Sequence, residues 1–139
     1  MTSERKDRKM HRKTADRHLE EVKKRIQEVN ENPTYCYRVT EAIVFGSYVN
    51  DPDREMLSDL DIALKLVPKY PTDSMEFYKK QSESKGKNLT EVLFWPYEEV
   101  LRFIRHRCSY VSIHKLGDPE QDKIILSGKT MPLKIEAET

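Results

Sequence analysis

Between Thr14 and Asn30 the apolar residues fall at Leu19, Val22, Ile26 and Val29, steps of three, four and three that line one side of a helix. Thr14 or Asp16 can cap its start, and Asn32-Pro33 ends it. Residues 39–45 (VTEAIVF) are β-branched and apolar and stop at Gly46, which predicts a strand. Residues 59–66 (DLDIALKL) alternate. Leu60, Ile62, Leu64 and Leu66 share one face, and Asp59, Asp61, Ala63 and Lys65 the other, as in a strand buried on one side. Beyond Pro68 and Pro71, residues 74–84 predict a helix and residues 89–95 (LTEVLFW) a third strand. Pro96 then opens a helix through about residue 107, its stripe Tyr97, Val100, Leu101 and Ile104. Residues 110–116 read as a strand, 118–126 as a short helix and 131–135 as an edge strand. This order predicts an α+β fold, a mixed β-sheet of four to five strands flanked by helices.

Residues 1–13 (MTSERKDRKMHRK) are dense in charge with little to bury. They predict a disordered arm, leaving 14–139 as a single domain. Charged residues make up 35% of the 139 yet nearly cancel, to +1, so no global field favours nucleic acid or a membrane surface. A local basic cluster, Arg102, Arg105, His106 and Arg107, suits the negative end of a helix dipole, with phosphate or RNA contact as the alternative. Cys36 and Cys108 have neither disulfide-scaffold nor zinc spacing and no pattern of a thiol nucleophile. No apolar run reaches the ~20 residues of a membrane span, and a cytoplasmic location is expected. Tyr35, Tyr37, Tyr110 and His114 read as structural residues.

The chemistry lies in residues 45–66 (FGSYVNDPDREMLSDLDIALKL). Residues i and i+2 of a strand point the same way, so Asp59 and Asp61 stand side by side. Two carboxylates this close repel, and a divalent cation removes the penalty by neutralising both. Mg²⁺ suits the pair, and Mn²⁺ the same ligands, because such an ion keeps some waters and completes its shell with substrate phosphates. Gly46 permits close backbone approach of a ligand, and the N–H groups there and the Ser47 hydroxyl can hold phosphate oxygens. Two metals bridging the attacking and leaving oxygens need a third carboxylate. Glu91, in the middle of LTEVLFW, is the candidate, since a charge in an apolar strand requires a partner.

Gly46-Ser47, eleven residues, then Asp59-Leu60-Asp61-Ile62-Ala63-Leu64, resembles the signature of the nucleotidyltransferase superfamily that includes DNA polymerase β. At this length the chain looks like a minimal nucleotidyltransferase. The resemblance implies a polymerase β-like palm fold, Asp59 and Asp61 as metal ligands, and a triphosphate held by Gly46 and Ser47. It implies transfer of NMP, with AMP from ATP the first choice, to a hydroxyl that a protein can supply. Glu91 would serve the second metal or the acceptor. Three departures stand beside it. Tyr48 is followed by Val49-Asn50-Asp51, where the family often has Ala-Arg-Gly; the loop carries Asp51, Asp53, Arg54 and Glu55; and the third carboxylate is a glutamate where aspartate is usual. The alternative is an antitoxin-type nucleotide-binding regulator of a toxin–antitoxin pair, which acts by binding a HEPN-type helical ribonuclease. Oligomeric state stays open.

Overall fold

Leu19, Val22, Ile26 and Val29, joined by Ala15, are buried along one side of helix α1 (Arg12–Glu31). A computed structural model describes residues 9–69 and 89–135, apart from the side chains of residues 89–95. The first helix begins inside the stretch expected to be a disordered arm. His11 caps it, its ring nitrogen accepting the Lys13 N–H. Strand β1 (Met10–His11) pairs antiparallel with β3 (Met56–Leu57), and Met10 is only 4% exposed. Charge density hid this end of the arm, because one buried methionine and one well-bonded arginine are enough to order it.

Four strands form the main sheet, in the order β5 (Val111–Lys115), β4 (Leu60–Pro68), β2 (Tyr37–Phe45), β6 (Met131–Pro132). β4 runs antiparallel to β2 and parallel to β5, and β6 is antiparallel to β2, so the sheet is mixed and the fold is α+β. A register shift between Val39 and Glu41 gives β2 one extra residue. The bulge keeps Val39 on the core face while moving that face to the even positions Ala42 and Val44 further along. Leu60, Ile62 and Leu64 of β4 and Val111 of β5 complete the buried face, against α1 and against Val100 and Ile104 of α3 (Leu89–Arg105). Asn30 closes the bulge by donating to the Val39 carbonyl at 3.0 Å and accepting the Val39 N–H at 2.8 Å.

The expected third strand at 89–95 is the first part of helix α3 instead, and Pro96 lies inside that helix rather than at its start. Seven residues rich in Val, Leu, Phe and Trp are too short a window to separate a strand from a buried helix. Over seventeen residues the positions 89, 92, 93, 96, 97, 100, 101 and 104 repeat in steps of three and one, which is helical. The helix expected at 74–84 lies outside the described residues. Helix α4 (Pro119–Ile125) matches its expected place, capped by Asp118, whose carboxylate accepts the Glu120 N–H. Among the described residues no helix is long and apolar enough to cross a membrane.

Candidate functional site

Strand alternation sends a second set of side chains to the face opposite the core. Register aligns them in rows across three strands: Phe45, Asp61 and Ser112 in one, Ile43, Ala63 and His114 in the next. Ala63 has only a methyl group and is fully buried, and the rings of Phe45 and His114 meet edge to face, 5.0 Å apart, although their strands flank β4 on either side. A polar cluster centred on Asp61 results.

Gly46 ends β2 with φ +80°, a conformation that glycine adopts readily. It leads into α2 (Ser47–Asn50), a single turn that starts at Ser47. A Cβ at Gly46 would stand 2.5 Å from Asp61 Oδ2. The glycine is therefore required by the aspartate: the backbone passes so close to the carboxylate that no side chain fits between. Asp59 lies one residue before β4, exposed, and its charge acts on Asp61. Burial raises the Asp61 pKa above the usual carboxylate range; His114 opposes that rise and Asp59 adds to it. The structure thus brings Gly46, Asp59 and Asp61 together, with Ser47 next in the chain. Glu91 falls on helix α3 rather than in a strand, and its side chain is outside the described residues.

The strand beside β4 is β5, and it presents no carboxylate to Asp61. It presents Ser112 and His114. His114 Nε2 is 3.5 Å from Asp61 Oδ1 and 3.1 Å from Ser112 Oγ. Both contacts fall on the same nitrogen, so the trio is not a relay of the serine–histidine–aspartate kind, which uses one ring nitrogen for each partner. The alternation of residues 111–115 (VSIHK) carried the signal that places these two polar residues on the face of Asp61. Among the described residues no three His, Cys, Asp or Glu side chains form a group able to hold a metal ion unaided.

Residues 48–55 were expected to be the weak part of the motif, and the structure gives nearly every one a partner. Arg12 donates from Nη1 to the Tyr48 carbonyl (3.1 Å), from Nη2 to that of Asp51 (2.8 Å) and from Nε to that of Arg54 (2.7 Å). Its guanidinium also covers the Tyr48 ring at 4.7 Å. The Tyr48 hydroxyl donates to Asp16, and burial together with that bond pushes its pKa up to about 12. Asn50 Oδ1 accepts the Lys129 N–H at 2.9 Å, tying the loop to the segment before β6.

No family model, no curated protein and no solved structure matches the chain.

Proposed function

We propose that this chain is a minimal nucleotidyltransferase of the polymerase β-like kind, transferring NMP from a divalent-metal complex of an NTP, with ATP the first candidate, to an acceptor hydroxyl. The observation that carries this reading is the contact of the Gly46 backbone with Asp61. The glycine-serine turn and the paired aspartates are twelve or more residues apart in sequence, yet the fold makes the first depend on the second. A stray Asp-x-Asp at a strand end would not need a side-chain-free neighbour.

The donor set fits the ion. Two carboxylates, one partly buried with a raised proton affinity and one exposed, suit a hard cation that takes its remaining ligands from phosphate and water. Bound there, the cation would neutralise charge that builds up on the phosphate oxygens during transfer. Asp59 and Asp61 would hold it. The Ser47 hydroxyl and the N–H groups of Ser47 and Tyr48 at the start of this turn would take triphosphate oxygens, while the Val49 and Asn50 N–H groups donate to the Gly46 carbonyl. The acceptor oxygen forms its bond to the α-phosphorus as the bond to the β-phosphate oxygen breaks, the acceptor proton passes to a base or to water, and pyrophosphate leaves. Catalysis of this kind is mostly positioning and charge neutralisation. The departures from the family's loop are accommodated, because Tyr48, Asn50 and Asp51 are bonded to Arg12, Asp16 and Lys129 of this chain.

A second reading is supported by one observation: β5 offers a histidine where a two-metal transferase would use a carboxylate. In that case the domain binds nucleotide and regulates a helical HEPN-type partner without turnover. Incubation with ATP labelled on its α-phosphate separates the two, with a purified HEPN-type partner and the chain itself as acceptors. Metal-dependent transfer of label that Asp61→Asn abolishes supports the enzyme. Binding of ATP with no label on any acceptor favours the regulator.

A further inference from the structure

Ser112 is one polar position of a short strand in the sequence, and in the fold its hydroxyl stands beside Asp61. β5 runs parallel to β4 with Ser112 directly opposite Asp61, and neighbouring strands are about 4.8 Å apart. Ser112 Oγ is 3.1 Å from His114 Nε2, and the same nitrogen is 3.5 Å from Asp61 Oδ1. The shorter contact is a hydrogen bond, and the longer one is wide for such a bond. With the ring proton on Nδ1, Nε2 accepts the Ser112 proton, and the Asp61 oxygens stay available to an ion. A serine hydroxyl held by a neutral imidazole is a weak nucleophile activated by an adjacent base. Two residues form this unit, because Asp61 faces the nitrogen that Ser112 uses.

The imidazole is fixed in place for the contact. Phe45 meets it edge to face at 5.0 Å, and fully buried Ala63 lies beside it on β4. The site is also open, with the side chains of His114 and Asp61 35% and 25% exposed. Tyr48, the other hydroxyl close to the motif, is differently placed. Its O–H is held by Asp16, and burial together with that bond raises its pKa, which makes it a poor nucleophile.

We infer that Ser112 is itself an acceptor of the transfer, so that the chain attaches NMP to its own strand β5. This rests on the nucleotidyl-transfer reading and names a hydroxyl that the reading leaves open. Ser112 Oγ forms a bond to the α-phosphorus of the metal-bound NTP as the bond from that phosphorus to the β-phosphate oxygen breaks. The hydroxyl proton passes to His114 Nε2, pyrophosphate leaves, and a serine phosphodiester remains. Proximity favours this acceptor over one arriving from solution, because the nucleophile and the carboxylate of the ion are held on adjoining strands of one sheet. The attached nucleotide then occupies the space beside Asp61, so each chain is modified once.

Peptide mass mapping of the full chain after incubation with ATP and Mg²⁺ tests this. The expected result is one AMP per chain, on Ser112. Ser112→Ala should take up none, yet melt as the wild type does and bind ATP with its ion in calorimetry. A second readout needs neither metal nor nucleotide. Nitrogen-15 NMR of the chain alone should show His114 Nε2 as an unprotonated nitrogen that accepts a hydrogen bond, and Ser112→Ala should shift its signal. Four results overturn the inference and leave nucleotidyl transfer to another acceptor standing: AMP on a different residue, AMP that persists on Ser112→Ala, a wild-type chain that binds ATP with its ion and stays unmodified, or a proton on Nε2. A wild-type chain that binds no ATP with the ion overturns both.

Discussion

Gly46 has the most constrained environment in the site, and a single methyl group tests it. Gly46→Ala meets both a φ of +80° and the Asp61 oxygen at 2.5 Å, so the loop or the carboxylate must move. A loss of about 1–3 kcal/mol in urea unfolding is expected, with metal binding weakened alongside it. A second residue-scale prediction concerns His106, at the end of α3, with φ 45° and an Nε2 that is buried with no hydrogen-bond partner among the described residues. Burial, then the charge of Arg25, then His18 lower its pKa below 6.5, while Glu21 opposes them; burial and Arg17 lower His18 likewise. The unfolded chain therefore binds protons at these histidines before the folded one does. Stability should be complete above about pH 6.5 and fall as the pH drops below it. His106→Asn, which tolerates the left-handed backbone and does not titrate there, should flatten the melting temperature between about pH 7 and 5. A profile as steep as that of the wild type would count against this explanation.

At the scale of elements, the parts of the sequence with sustained periodicity were legible and the short apolar windows were not. The α1 stripe, the alternation of DLDIALKL and the capped α4 all stand where their patterns put them, because each pattern spans the whole element. LTEVLFW failed because a seven-residue window with five apolar residues satisfies helix and strand alike, and the proline after it suits a helix start as well as it marks an interruption. That one error displaced the third member of the site. Once 89–95 is helix, the partner of β4 is β5, and Ser112 and His114 become the neighbours of Asp61. The last residues of the expected arm, from Met10 on, were misread for a different reason: the contacts of Arg12 are to carbonyls 36–42 residues away, which no local pattern encodes. Arg12→Ala should lower stability by about 1–2 kcal/mol, since three backbone acceptors lose a charged donor. Lys13→Ala, at an exposed neighbouring position, should change it by less than about 0.5 kcal/mol. Equal effects of the two would mean that the clamp on the 48–55 loop contributes nothing measurable.

Across the whole molecule the division of labour is between two faces of one mixed sheet. One face is closed by α1 and α3 over Val44, Leu60, Ile62 and Leu64. The other gathers Gly46, Asp61, Ser112 and His114, with Asp59 at the strand's mouth. Burying the first face fixes the register, and the register fixes which polar residues meet on the second, because a slip of one residue would exchange the faces. The paired aspartates were legible because their spacing matches the strand period; the histidine beside them was not, because its role depends on which strand lies next to β4. Calorimetric titration with ATP, with Mg²⁺, with Mn²⁺ and with chelator, tests the proposed site most directly when wild type and Asp59→Asn/Asp61→Asn are compared. Binding that requires the divalent ion and disappears in the double variant is the predicted result. Binding in neither protein, or binding that needs no metal and survives the double substitution, would contradict it.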